Sequence, residues 1–221
     1  MFIWILIAFG LAMYAQSRVQ SVFKKYAKVY VGNGQPAAQV ARQMLDARGI
    51  RDIRVERVQG NLTDHFDPRT GVLGLSETVY DSTSLAALGV AAHEVGHVFQ
   101  QYDGYLPMRL RHALVPVAQL GSFAAFPLFL LGMFLSIGPL VSIGIAVFIA
   151  VVLFYLVTLP VEFNASRRAI TALEAGGYLS RDEVGPAKKV LNAAGMTYVM
   201  AAIQAMLQLV RLLGMAGRRR S

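Results

Sequence analysis

The stretch His93-Glu94-Val95-Gly96-His97 follows a run, Ser84 to Ala92, that reads as a helix and carries the motif with it. Residues four apart on a helix stand one above the other on one face. The two imidazoles then lie side by side, as two corners of a tetrahedral zinc site require. Glu94 is one step round the helix, off the ligand axis, where its carboxylate can take a proton from an attacking water. The chain has four His in 221 residues, so this pairing about a Glu is a specific signal. The bland alternative is two histidines packed in a helical core. Ser82 to Ser84 can cap the helix, and Asp103-Gly104 can end it.

Outward from the motif, the composition points to a membrane. Apolar residues make up 55% of the chain, against about 45–50% in soluble domains, and the mean hydropathy is +0.48. They are gathered in blocks: Phe2 to Ala15, Leu114 to Leu135, Ile137 to Leu159, and Met196 to Ala216. The second and third are each long enough to cross a hydrocarbon core of ~30 Å, and Ser136 to Pro139 supplies the turn of a helical hairpin. Neither keeps the polar face of an ordinary core helix. The first block lacks a positive leading region, and Met13-Tyr14-Ala15 is a poor cleavage site, so it reads as a retained anchor with Trp4 and Tyr14 at the interface. In the fourth block, Thr197, Gln204, Gln208 and Arg211 form one polar stripe. That suits a spanning helix facing its neighbours, or a helix lying in the interface with Arg218 to Arg220 in the headgroups.

The net charge of +8 need not imply nucleic acid, and none is expected as a partner. Arg18, Lys24, Lys25, Lys28, Arg109, Arg111, Arg167 and Arg168 flank the polar segments and read as positive-inside signals, which puts those segments in the cytoplasm. There is no cysteine, which excludes disulfides and thiolate metal sites.

Between the blocks, Pro36 to Arg48 reads as a helix with Val40, Ala41, Met44 and Leu45 as its apolar face and Gly49 after its end. Ile50 to Val58 and Val72 to Leu75 read as strands, with the turn formers Asp64 to Gly71 between them. Val161 to Ala175, stopped by Gly176-Gly177, and Pro186 to Ala194 read as two further helices. The chain is thus parsed as an anchor (1–16), a polar catalytic segment (17–113), a transmembrane hairpin (114–159), a second catalytic segment (160–195), and a C-terminal membrane helix with a basic tail (196–221). A hairpin returns the chain to the side it left, so the two polar segments can share one site.

A catalytic zinc commonly has three protein ligands and one open position. No third His follows at the H-E-x-x-H-x-x-G-x-x-H spacing, since position 100 is Gln and position 103 is Asp. A carboxylate from a second helix is the other solution. Glu162, directly past the third apolar block, is preferred to Glu174, and Glu183 ranks last. The competing reading of Glu162 is an acid at a helix N-terminus, favoured by the dipole.

Here the chain resembles a known family, the putative neutral zinc metallopeptidases, or YugP-like membrane proteases of bacteria. The resemblance rests on Leu62 to Arg69, Leu75-Ser76-Glu77, Val90 to His97, Pro160 to Arg168 and Val190 to Tyr198. It covers most of the chain and implies one zinc ion per chain, a His-His-Glu ligand set and a membrane-embedded peptidase of gluzincin type. Many gluzincins carry an Asp four residues after the ligand Glu to orient a ligand histidine. That position is Ser166 here, and Asn164 stands where the family leads one to expect Asp.

The expected fold is therefore mainly α: a multi-helix membrane protein with a small α+β zincin-like catalytic part that carries the HExxH helix and a short sheet. The expected activity is zinc-dependent endopeptidase cleavage of membrane or membrane-associated proteins at a bacterial cell membrane. His93, His97 and Glu162 hold the metal and Glu94 is the general base. Leu73 and Gly74 are expected to bind an extended substrate by strand addition. Tyr178, Tyr198, His112 and Arg167 are candidate oxyanion donors, and His65 is expected to hold its turn. The expected partners are the lipid bilayer and a peptide or protein substrate. The rival from another class is a zinc-stabilised membrane scaffold or adaptor without turnover, against which an intact Glu94 argues.

Overall fold

The polar segments on either side of the apolar hairpin fold together. A computed structural model describes residues 2–217, with side chains from residue 9 onward. One unit comprises Ala15–Tyr105 with Glu162–Met196, and the other Met1–Tyr14, Leu106–Val161 and Thr197–Ser221. Along the chain, α1 spans Phe2–Tyr26, α2 Ala37–Asp46, β1 Arg54–Val58, β2 His65–Asp67, β3 Val72–Ser76, α3 Glu77–Tyr80, α4 Leu85–Tyr102, α5 Leu106–Phe134, α6 Gly138–Ala175 and α7 Arg181–Gly217. The protein is mainly helical with one small sheet. The expected positions of the Trp4 side chain and of Arg218 to Arg220 lie outside the described residues.

In the polar unit, α2 follows Pro36 and buries Val40, Ala41, Met44 and Leu45. Gly49, at φ +71°, turns the chain out of the helix towards β1. The sheet order is β1-β3-β2, with β1 parallel and β2 antiparallel to β3. Residues 65–67, expected as part of a turn, form strand β2. Three residues are too short to show a period, and it is pairing with β3 that makes them a strand. The Asp64 carboxylate ties this strand to the end of β3 by accepting hydrogen bonds from Ser76 N (2.8 Å) and Ser76 Oγ (2.9 Å).

Helix α4 starts at Ser84, whose hydroxyl accepts the Ala87 N–H at 3.2 Å. It is buried on almost every side: Leu85, Leu88, Ala92, Val95 and Val98 join one core with Leu45 of α2, Leu73 and Leu75 of β3, Leu173 of α6 and Leu191 of α7. A helix apolar all round is an interior helix. Burial of each large aliphatic contributes roughly 1.5–3 kcal/mol, and this packing holds the motif in a fixed frame.

In the other unit, α5 and the first part of α6 approach closely through small residues. A Cβ at Gly132 would stand 2.6 Å from Val141 N, and one at Gly144 would stand 2.8 Å from Phe129 N. Small residues at the contact allow such close packing between apolar helices. Ser136, at φ +59°, makes the turn between them. Among the described residues, three helices, α5, α6 and α7, are long and apolar enough to cross a membrane. Phe123 and Phe134 are more than four-fifths exposed, an apolar surface of the kind that lipid covers.

Two expected boundaries are absent. The hairpin's second arm and the segment Val161 to Ala175 are one helix, α6, with Pro160 inside it. The short helix Pro186 to Ala194 and the fourth apolar block are likewise one helix, α7. A proline removes one backbone donor and crowds the preceding turn, but helices flanked by strongly packed apolar turns absorb it.

Candidate metal centre

Two side chains of α4 and one from the distant α6 converge in the polar unit. His93 and His97 stand one turn apart on α4, with ring centroids 4.7 Å apart and planes at 84°. Glu162 Oε2 lies 3.1 Å from His93 Nε2 and 3.6 Å from His97 Nε2. The Glu162 side chain is only 2% exposed. Glu174 instead faces Lys188 at 3.6 Å, and Glu183 accepts from the backbone N–H groups of Gly32 and Ser180.

The convergence depends on Gly96. An ideal Cβ there would meet the Ala165 carbonyl oxygen at 2.4 Å. The absent side chain lets the backbones of α4 and α6 touch, and this brings Glu162 under the two imidazoles. The glycine immediately before the motif's second His is therefore a packing requirement, a role sequence reading did not assign.

The donor set fits a divalent metal with borderline-soft preferences. Two imidazole nitrogens and one carboxylate oxygen lie within 4.8 Å of one another. Ligand bonds of about 2.0–2.2 Å place two tetrahedral zinc ligands roughly 3.3–3.5 Å apart, and the two distances to Glu162 Oε2 bracket that value. The local charge favours a cation. Burial alone would push the His97 imidazole down, but its hydrogen bond to Glu162 and the carboxylates Glu94 and Glu162 outweigh this and raise it. Glu94 is half-buried on the next step of α4 and makes no ion pair or hydrogen bond among the described residues.

Both imidazoles are held from behind. His93 Nδ1 is 3.1 Å from Ser166 Oγ, so the hydroxyl takes the place where an Asp was expected. His97 Nδ1 is 3.0 Å from Gln100 Oε1. Asn164 touches neither ring; its Oδ1 accepts from Gln100 Nε2 at 3.0 Å and from Arg168 Nε at 2.7 Å. Sequence reading missed Gln100 as a partner. The available signal was its spacing, one helical turn beyond His97 on the same face.

The expected substrate edge at Leu73 and Gly74 is not there. Both residues lie in the central strand, where Leu73 pairs with Val55 and Phe66, and Gly74 with Glu56 and His65. A strand paired on both sides cannot accept another, and Leu73 is fully buried. Gly74 instead makes room for His65: a Cβ would stand 2.8 Å from the ring's Cε1. The His65 ring in turn bonds Thr63 O at 2.9 Å and holds its turn. Of the candidate oxyanion donors, Tyr178 and Arg167 belong to the polar unit and line a cleft of about 390 Å³ whose walls include none of the three converging residues. His112 and Tyr198 belong to the other unit.

A His-His-Glu cluster able to hold a metal thus lies in a chain that carries membrane-length helices. Residues 1–217 match the family described as "Putative neutral zinc metallopeptidase", and the chain belongs to that family. It is 45% identical over 212 residues to "Putative membrane protease YugP" of Bacillus subtilis (strain 168), covering 96% of this chain and 94% of the relative. No solved structure matches.

Proposed function

We propose that the chain is a membrane-embedded, zinc-dependent endopeptidase of zincin-like, gluzincin type that cleaves membrane or membrane-associated proteins. The observation that carries this reading is the convergence of His93 Nε2 and His97 Nε2 on Glu162 Oε2 beside the unpaired carboxylate of Glu94. His93, His97 and Glu162 hold one zinc ion. The chemistry supplied by the bound ion is polarisation of the substrate carbonyl and a lowered pKa for the attacking water. Glu94 accepts the water's proton as the oxygen adds to the carbonyl carbon, and returns it to the amide nitrogen as the C–N bond breaks. Ser166 and Gln100 keep the imidazoles oriented throughout. The apolar helices α5, α6 and α7 favour substrates that share the bilayer, and the cationic flanks of the polar segments favour a cytoplasmic site.

The test uses the full-length protein. Metal analysis of the wild type gives about one zinc per chain. Glu94→Gln keeps that zinc and loses turnover of an unfolded membrane substrate by at least ~10²-fold. Wild-type turnover in Glu94→Gln refutes the mechanism. A zinc-bound wild type with no turnover of any peptide substrate favours the scaffold role.

A further inference from the structure

Away from the three converging residues, the polar unit carries the cleft of about 390 Å³ between α2, α4 and the end of α6. That volume lies within the ~300–1,000 Å³ of small-molecule sites. Much of its lining is apolar, with Met44 of α2, Phe99 of α4 and Ala172 and Ala175 of α6. Tyr178 also lines it, and its ring lies so close against Gly176 that a Cβ there would overlap it. Three guanidiniums, those of Arg48, Arg167 and Arg168, share these walls, and among the described residues no carboxylate does.

The cations are not matched by acids. Asp103 is divided between two of them, paired with Arg168 and, at 3.3 Å, with Arg48. Arg168 is committed further, since its Nε donates to Asn164 Oδ1 at 2.7 Å. Arg48 is held loosely. Charge-assisted bonds run at about 2.7–2.9 Å, and both of its longer contacts with Asp103 use Nη1 alone. Its guanidinium lies 4.2 Å from the centre of the Phe99 ring, a cation–π contact that positions it while leaving Nε and Nη2 to donate elsewhere. Arg167 makes no ion pair or hydrogen bond among the described residues. Asp46, whose charge reaches Tyr178, is itself paired with Arg42 at 2.9 Å. Three positive charges at the cleft thus meet one negative charge. Guanidiniums recognise carboxylate and phosphate oxygens through paired N–H donors, and the apolar lining suits a ligand with an apolar body.

We propose that this cleft is a binding site for an organic oxyanion, a carboxylate or phosphate carried on an apolar body, with Arg48 and Arg167 receiving the anion. The site is separate from the metal centre, because His93, His97 and Glu162 do not line it, and it stands whether or not the chain holds zinc.

The experiment is calorimetric titration of the full-length protein in detergent, with the detergent alone as blank. The probes are 4-phenylbutyrate, 2-phenylethyl phosphate, the neutral 4-phenylbutanamide and inorganic phosphate. The two organic anions bind at least ~10-fold more tightly than the amide, the usual effect of hydrogen bonds to a charged group. They also bind more tightly than inorganic phosphate, which has no apolar body. The tighter of the two tells a phosphate ester from a carboxylic acid as the ligand's source. Arg48→Gln combined with Arg167→Gln removes the preference for anion over amide. Ala175→Trp, at an exposed position on the lining, fills the cleft and abolishes binding of both organic anions. On the wild type, either organic anion protects Arg48 and Arg167 from phenylglyoxal, read residue by residue by mass spectrometry. Arg69, which is 93% exposed and outside the cleft, is not protected.

An amide that binds as tightly as the anions overturns the proposal, as does inorganic phosphate that matches them. So does an anion preference that survives in the double variant, or the absence of protection at Arg48 and Arg167. If the substituted chains fail to fold, the wild-type affinities and the arginine footprint decide.

Discussion

Replacing Gly96 by Ala adds one methyl group at the point where α4 and α6 touch. That carbon would stand 2.4 Å from the Ala165 carbonyl oxygen, and a real Cβ contact needs at least 3.0 Å. The helices must therefore separate by the difference, 0.6 Å, and the obstacle is backbone rather than the tip of a flexible side chain. Zinc–ligand distances hold within about 0.2 Å, so the shift is about three times what the site tolerates. Two terms compete in stability. Alanine gains up to ~1 kcal/mol over glycine in helix propensity, and forced overpacking costs about 1–3 kcal/mol. At a backbone contact the second term wins, with a net loss of up to ~2 kcal/mol. Zinc affinity should fall by ~10-fold or more, the equivalent of about 1.4 kcal/mol. Gly89 provides the control on the same helix: its Cβ would meet Val190 at an ordinary 3.7 Å, so Gly89→Ala should leave the site intact and hold or raise the melting temperature. The assay is chelator competition for zinc, with apparent Tm of the metal-free proteins. Equal behaviour of the two variants, or wild-type zinc affinity in Gly96→Ala, would refute the argument that this contact seats Glu162.

Other expectations follow from the same structure. Glu162→Ala should lower zinc occupancy, whereas Glu174→Ala, which breaks only a half-exposed pair with Lys188, should leave it unchanged; the reverse pattern in metal analysis rejects the ligand assignment. Asp64→Ala removes the acceptor for both Ser76 N and Ser76 Oγ and should cost about 1–3 kcal/mol in thermal stability. The Tyr102 hydroxyl, which donates to Asp52, is pushed up to about 12 by that hydrogen bond. Its folded pKa thus exceeds the unfolded value of about 10, so the bond contributes below pH 10 and is lost as pH rises from 10 towards 12. Titration followed at the Tyr102 ring should show it ionising late, and Asp52→Asn should remove that delay. For topology, single cysteines at Ser17 and Ser180 should resist a membrane-impermeant thiol reagent in intact cells, since the chain has no native cysteine; labelling of both from outside overturns a cytoplasmic site. A cysteine at Ser221 reports whether the last helix crosses.

The sequence by itself determined what depends on neighbours along the chain. Helical period placed His93 and His97 on one face and put Glu94 beside them. Ser84 marked the start of α4, Gly49 the turn after α2, and two apolar blocks around Ser136 the hairpin. What depends on contacts between distant segments was only partly legible: the place of Glu162 directly past the third apolar block points to it as a ligand, but not to the helix crossing that brings it to α4. His93 and Glu162 are 69 residues apart, and nothing local says that α6 should meet α4 at Gly96. Val72 to Ser76 reads as a strand from its residues, but only pairing on both edges by β1 and β2 made it central and closed Leu73 and Gly74 to a substrate. Pro160 reads as a boundary because it removes a backbone donor, and tertiary packing on either side carried α6 through it. Gln100, Asn164 and Arg168 are ordinary polar residues until two helices face them towards one another. Propensity and period are properties of a few consecutive residues, whereas register, crossing point and hydrogen-bond direction are properties of pairs that only the folded chain creates.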